Sequence, residues 1–298
     1  MDIKKYQVLL DTLDKGSFAK ACAELGYTQS GITHMMNSLE KEVGFPLLLR
    51  TNKGIRPTQE GKAVLPTIRE LVKLNERLEQ EFNLLRGMET GQVRVGSYPT
   101  IACIWLPRII HELRERHPGI QVEVQEENSI HRLEKNLQDG RIDLCFASRQ
   151  PGQGFDWIPL SDDPYFAVLP AGHPLTRQEQ VRARDLMGET FFMCKSIDGM
   201  DPDIMRYFQE TGVPISSGYS CNSDNTIIFM VEQDLGVSML PRLFLDAVLG
   251  SPREHVVTRP LTPPASRQLG LAVRSLRELS PAMKRFIRCT RDVLLRNA

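Results

Sequence analysis

The sequence predicts an α/β chain in three parts: a small helical head carrying a β-hairpin, one long helix, and a two-lobed α/β body. Three observations predict it. Residues 16–40 read as two short helices across a glycine turn, followed at once by a hairpin pattern. Residues 58–86 carry an apolar repeat in alternating steps of four and three. Beyond Gly91, β-type runs alternate with helix-length amphipathic runs, the pattern of βαβ units.

In the head, Ser17 and Thr28 stand where hydroxyls can cap two helices, and Gly26 stands where the chain must reverse through a left-handed residue. Ala19, Ala21, Cys22 and Ala23 are small enough for close helix packing, and Ile32, Met36 and Leu39 form an apolar stripe on the second helix. Gln29, Ser30, Thr33, His34 and Asn37 then face outward, short enough for the helix to lie in a major groove and polar enough to meet base edges or phosphates there. This is a helix-turn-helix pattern. A packed helix pair of no special function is the bland alternative, and the next segment weighs against it. Two β-capable runs flank Asn52-Lys53-Gly54, and Arg50, Lys53 and Arg56 occur within seven residues with no acid between them, which suits phosphate contacts. Helix-turn-helix plus basic wing makes a winged helix. The candidate DNA-binding residues are Ser17, Thr28, Gln29, Ser30, Thr33, His34, Asn37, Arg50, Lys53 and Arg56.

The long helix opens at Thr58, a candidate N-cap, with Glu60 in its first turn. Val64, Ile68, Leu71, Asn75, Leu78, Phe82 and Leu85 form a heptad seam, which predicts pairing with another helix. Leu65 and Val72 lie beside the seam and are expected to pack on the head. A helix of this length spans about 43 Å, more than a small head can cover. Pro66 is expected to bend it, and Asn75 to fix register and partner number.

After a hinge at residues 87–91, strands are expected at 92–96, 119–124, 141–147, 165–169, 190–193, 218–222, 237–240 and 268–273, with a closing helix at 281–295. Strands separated by helices imply open parallel sheets in two lobes, crossed near Leu160 and Arg267. Ligands of such sheets bind beyond the carboxyl ends of the strands. The residues expected there are Ser97, Tyr98, Thr100, Asn128, Ser129, Ser148, Ser196, Ile197, Asn222 and Asp224, with Lys195 and Arg149 as added positive charge. Each could equally be a helix cap; together they suggest a cleft for a small anionic or polar organic molecule, with Ser97, Thr100 and a helix N-terminus receiving a carboxylate.

On these residues the chain resembles the LysR-type transcriptional regulators. The resemblance rests on Ser17-Phe18, Ala21, Ala23, Leu25, Gln29, Leu39-Glu40, Gly44, Leu47, Arg50 and Thr58-x-x-Gly61, and extends to the C-terminus through Pro107, Pro118-Gly119, residues 139–143, His173-Pro174-Leu175 and Gly236-Val237-x-x-Leu240-Pro241. Cys22, Ser30, Thr33 and Leu48 depart from the usual alanine, proline, serine and phenylalanine. The resemblance implies a winged helix-turn-helix DNA-binding domain at 1–58, a linker and dimerisation helix with its hinge at 59–90, and an effector-binding domain at 91–298. That domain would be periplasmic-binding-protein-like, with lobe I at about 91–161 and 268–298 and lobe II at about 162–267. It further implies double-stranded promoter DNA and a small organic effector as partners, a homodimer through the long helix, and a homotetramer.

Composition sets bounds. Net charge is zero over 298 residues, so the chain is not a generally basic nucleic-acid binder, and local placement must supply any DNA footprint. The first residues lack the apolar core of a signal peptide and no run has the length of a membrane span, which suggests a cytoplasmic protein. Six cysteines (Cys22, Cys103, Cys145, Cys194, Cys221, Cys289) show no metal-site spacing and are expected to be mostly reduced core residues. One LysR-type subgroup senses peroxide through a cysteine pair; Cys194 and Cys221 are the only local candidates here, but their spacing does not resemble that subgroup's, and redox sensing is not expected. An enzyme built on the lobes is the main rival, but no nucleophile–histidine–acid set, phosphate-binding glycine loop or paired metal ligands occurs. A small-molecule binder without DNA function is disfavoured by the winged helix. Neither cofactor nor metal is expected.

Overall fold

The computed structural model of the chain describes residues 2–51, 54–215, 217–248 and 255–296. It divides into two compact units, Met1–Gly91 with Asp139–Arg141, and Gln92–Gln138 with Ile142–Ala298.

The first unit begins with α1 (Ile3–Lys15), which the sequence reading did not anticipate; Asp2 caps it by accepting the Lys4 N–H at 3.0 Å. The turn-joined pair follows as α2 (Phe18–Leu25) and α3 (Gln29–Val43). Gly26 closes α2 with φ +68°, the left-handed conformation expected of it. Thr28 caps α3 by accepting the Gly31 N–H at 3.1 Å, whereas Ser17 makes no side-chain cap bond, contrary to expectation. Ile32, Met36 and Leu39 are buried in one core with Tyr6, Leu9 and Leu10 of α1. The wing is an antiparallel hairpin, β1 (Leu48–Thr51) with β2 (Gly54–Pro57). Gly54 has φ +110°, and a Cβ there would lie 2.6 Å from the Gly16 carbonyl oxygen, so no larger residue fits without displacing backbone.

The long helix is α4 (Gln59–Leu85), capped by Thr58, whose hydroxyl accepts the Gly61 N–H at 2.9 Å. Its first half belongs to the head: Ile68 and Val72 are buried in the head core, Val64 and Leu65 pack against that core, and Arg69 pairs with Asp14 of α1. Val64 and Ile68 therefore leave the predicted seam. The apolar residues left exposed are Leu71 (46%), Leu74 (62%), Leu78 (46%), Phe82 (49%), Leu84 (42%) and Leu85 (86%), while Asn75 donates to Glu79 within the helix at 3.0 Å.

The second unit runs β3 (Gly91–Ser97), α5 (Pro99–Ile104), α6 (Leu106–Arg116), β4 (Ile120–Glu126), α7 (Ile130–Gln138), β5 (Leu144–Ser148), β6 (Asp156–Pro170), β7 (Val181–Arg182), β8 (Phe191–Ser196), β9 (Gly199–Met200), α8 (Pro202–Glu210), β10 (Ser217–Cys221), α9 (Asp224–Glu232), β11 (Val237–Pro241), α10 (Arg242–Val248), β12 (Val256–Thr262), β13 (Ser266–Val273) and α11 (Pro281–Leu295). The strand order β10-β8-β11-β6-β13-β5-β3-β4 makes one continuous path, with β12 beside β6, β7 beside β12 and β9 beside β8. The expected all-parallel sheets are in fact mixed. β3 runs parallel to β5, and β10 and β11 parallel to β8, but β13 is antiparallel to both β5 and β6. The long strand β6 joins the lobes: its first half pairs with β13, its second with β11 and β12. Each lobe has its own core, one around Trp105, Phe146 and Phe286, the other around Phe191, Tyr207 and Phe208.

Among the described residues, no helix is long and apolar enough to cross a membrane.

Candidate functional site

On α3, the buried stripe forces the opposite face outward. Gln29, Ser30, His34 and Asn37 are exposed and Thr33 is half-buried. Thr28 is exposed, and its hydroxyl lies 3.1 Å from that of Ser30, so part of its polarity serves the cap. Ser17 is half-buried at the start of α2. The wing is anchored to α3 through Glu40, whose Oε1 accepts the N–H groups of Leu47 at 2.7 Å and Leu48 at 2.9 Å. Arg50 donates to Asn37 Oδ1 at 2.6 Å and stacks over the Phe18 ring at 5.2 Å. Hence Asn37 and Arg50, predicted separately as DNA contacts, form one pre-oriented pair. Arg56 is exposed on β2, and Lys53 lies outside the described residues. Glu40 and Phe18 are positioning residues that charge and groove arguments passed over.

In the second unit the lobes meet across polar bridges. Each of three lobe II aspartates accepts from a neutral lobe I side chain: Asp198 from Ser129, Asp203 from Gln150 at 3.0 Å, and Asp224 from Thr100 at 3.3 Å. Asn128 donates to the Asn222 carbonyl at 2.8 Å. A crevice opens between the β4–α7 turn and the β8–β9 hairpin, lined by Asn128, Ser129, His131, Ser196, Asp198 and Asp201 with flanking residues.

Three of the predicted effector residues, Asn128, Ser129 and Ser196, thus share one crevice. The others lie outside that lining. Ser97 is fully buried and its hydroxyl donates to the Tyr98 carbonyl at 3.0 Å, so it offers nothing to a ligand as it stands. Ser148 is equally buried, within hydrogen-bond distance of the Tyr98 hydroxyl at 3.3 Å and accepting from Gln150 at 2.9 Å. Ile197 projects from the hairpin tip at 80% exposure and does not line the crevice. Lys195 and Arg149 are exposed.

The sequence reading also missed a buried charge cluster. Arg267 on β13 pairs with Asp163 on β6 (Nε–Oδ2 3.0 Å), and both are over nine-tenths buried. Its guanidinium lies over the Tyr98 ring at 5.9 Å and the Tyr165 ring at 5.4 Å, one ring from each lobe. Asp203 also pairs with Arg206 within α8. Asp201 caps α8, accepting the N–H groups of Asp203 at 2.9 Å and Ile204 at 3.0 Å. Burial, with the charge of Asp203, raises its carboxyl to about 6 despite Arg267. Burial likewise raises Asp224, against the pull of Arg267 and Thr100.

Cys194 and Cys221 are register partners on adjacent parallel strands, and both are free thiols. Burial first, then the carboxylates Asp224 and Asp201, push the Cys194 thiol up to about 12, which makes it a poor nucleophile. Cys145 and Cys289 are buried, and Cys103 is exposed.

Comparison with known proteins settles the family. The profile of the bacterial lysR-family helix-turn-helix matches residues 3–62, and that of the LysR substrate binding domain matches residues 86–295. The chain belongs to the LysR family. The Bacillus subtilis HTH-type transcriptional regulator YvbU is 30% identical over 98% of this chain and 99% of its own length. OxyR of Escherichia coli, a DNA-binding transcriptional dual regulator, is 26% identical over 92% and 95%. Among solved structures, a full-length OxyR variant from Pseudomonas aeruginosa superposes with a TM-score of 0.76 (22% identity, 99% and 97% covered). Full-length BenM gives 0.62 (22% identity, 100% and 98%). As a LysR-family member the chain is a DNA-binding transcriptional regulator that responds to a small-molecule effector and oligomerises, and it is not an enzyme.

Proposed function

We propose that α3 reads promoter DNA through Gln29, Ser30, Thr33, His34 and Asn37, with Arg50, Arg56 and Lys53 holding the backbone. On this reading the protein works in the cytoplasm, where the chromosome is, and a molecule held between the lobes of the second unit sets how it grips the promoter. One observation carries the assignment: α3 buries Ile32, Met36 and Leu39 in the head core and presents Gln29, Ser30, His34 and Asn37 on its exposed side, with Arg50 of the cationic hairpin bonded to Asn37. Replacing Gln29 by alanine is expected to remove about 1–3 kcal/mol of discrimination at particular base pairs. Replacing Arg56 by alanine is expected to weaken all sequences alike and flatten the salt dependence by about one phosphate contact. Gel-shift titrations on the cognate and scrambled promoter at two salt concentrations check both, and the reverse pattern would exchange the roles.

The exposed strip Leu71, Leu74, Leu78, Phe82 and Leu85 supports a homodimer through α4, with a homotetramer built from two such dimers. Removing this apolar area from water favours a partner helix. Because Ile68 belongs to the head core, an aspartate there would unfold the head rather than report on assembly. Leu78→Asp with Phe82→Asp is the cleaner test. Light scattering is expected to show smaller species, and operator binding to lose the gain from linking two half-sites; an unchanged mass would remove this seam.

A further inference from the structure

We propose that the outer face of α11 is a second DNA-contacting surface, separate from α3 and its wing, which holds the phosphate backbone of duplex flanking the part bound by the head. Charge is unevenly spread along the chain. The net charge of the whole is zero, yet residues 274–298 carry seven basic and two acidic side chains. Ala282, Phe286, Ile287, Cys289 and Val293 of α11 are buried in the lobe I core, which fixes the side that faces water. Lys284, Arg288 and Arg291 are exposed. At steps of four and three they fall on one line about 10.5 Å long.

Exposed helices elsewhere in this chain pair their arginines with acids four residues away: Arg77 with Glu81 on α4, Arg116 with Glu112 on α6, and Arg242 with Asp246 on α10. On α11 the one acid, Asp292, is taken by Arg116 of α6, and Arg296 turns to Glu112 of the same helix. Lys284, Arg288 and Arg291 have no ion pair among the described residues. Like charges at these spacings repel. Lys284 also closes a first turn that holds no acid, where the helix dipole disfavours a cation. The stripe is thus unfavourable alone and favourable against a polyanion. Duplex DNA presents one negative charge per about 1.7 Å of axis, so several phosphates lie within the length of the stripe. Head and lobe belong to one chain of a DNA-binding family, so a bound duplex raises the effective concentration of its own flanks around α11. A free polyanion has no such advantage.

The test uses the full chain, a mixed-sequence duplex of about 80 base pairs, and fluorescence anisotropy over a range of salt concentrations. Arg288→Gln with Arg291→Gln keeps good helix formers. It is expected to weaken binding at least about tenfold near 0.1 M salt and to lower the salt slope by about 1.8. Arg288→Lys with Arg291→Lys keeps both charges and should bind like the wild type. Arg177→Gln with Arg242→Gln removes two exposed arginines of lobe II, the same change in net charge, and should cost far less. Melting curves of all three variants should match the wild type. Gln29→Ala, which tests base reading by α3, should leave the slope unchanged, so the two readings fail separately. Equal losses in the α11 and lobe II glutamine pairs would assign the effect to net charge and overturn the surface. An unchanged slope in the α11 glutamine pair overturns it as well. If that pair keeps DNA binding but loses binding to phosphatidylglycerol vesicles, the face meets a membrane and the proposal falls.

Discussion

Arg267→Gln is expected to lower the stability of the second unit by about 3–5 kcal/mol, among the largest losses of any single polar substitution in this chain. The reason is what the change leaves behind. Asp163 is buried on β6, and its two oxygens serve Arg267 and the Leu243 N–H at 2.8 Å, so losing the guanidinium strands an ionised carboxylate away from water. Burial alone would strip the charge from Arg267, but Tyr165, Asp163, Asp201 and Asp203 around it hold its pKa well above the ordinary value. Removing it therefore exposes several like charges to one another at once. The double variant Asp163→Asn with Arg267→Gln keeps an acceptor for Leu243 and removes the stranded charge, and should recover a substantial part of the loss. Denaturant unfolding of the wild type, both single variants and the double variant gives the coupling directly. A single variant within about 1 kcal/mol of wild type would mean that water or a neighbour already compensates the pair. The pair also joins two strands that pass between the lobes, with one aromatic ring from each lobe against the guanidinium. Its loss should thus loosen the lobe arrangement as well as lower the melting temperature.

The parts of this architecture that depend on neighbours in sequence were legible there. Gly26, Thr28 and the Ile32–Met36–Leu39 stripe define a turn and a helix face within about a dozen residues, and the structure places them as read. Helix α1 carries a comparable signal, an Asp2 cap and Tyr6, Leu9 and Leu10 at helical spacing, just ahead of the motif that begins at Gly16. The α4 seam shows a real ambiguity. A four-three repeat is the same pattern whether a helix packs on its own head or on a second copy, and only the fold shows that Val64 and Ile68 do the former. The first half of β6 was illegible for a different reason. Ser161, Asp162, Asp163 and Pro164 are poor strand formers, and pairing with β13 about a hundred residues later imposes the conformation. The same distance hid the charge cluster: Asp163 and Arg267 look like surface residues until two crossing strands bury them together. The partners of the strand-end hydroxyls were equally hidden: Ser97 bonds the Tyr98 carbonyl, and Ser148 meets the side chains of Tyr98 and Gln150.

Asp201→Asn is expected to stabilise the protein at neutral pH. Burial and the nearby charge of Asp203 raise the Asp201 carboxyl to about 6, from 3.8, while Arg267 and the Ile204 N–H pull it partway back and Asp224 adds to the rise. A carboxyl raised by folding binds its proton more tightly in the native state, so the native state is favoured at low pH. That advantage is complete below about pH 4, where both states are protonated at this site, and is lost as pH rises through about 6. Above that pH the wild type carries an unfavourable buried charge, whose cost is at most about 3 kcal/mol for a shift of about two units. Asparagine preserves the acceptor that caps α8 and carries no charge. Melting curves should therefore show the variant above the wild type at pH 7.5, less so at pH 5, and level with it near pH 4. A difference that does not vary with pH would assign the effect to packing rather than ionisation.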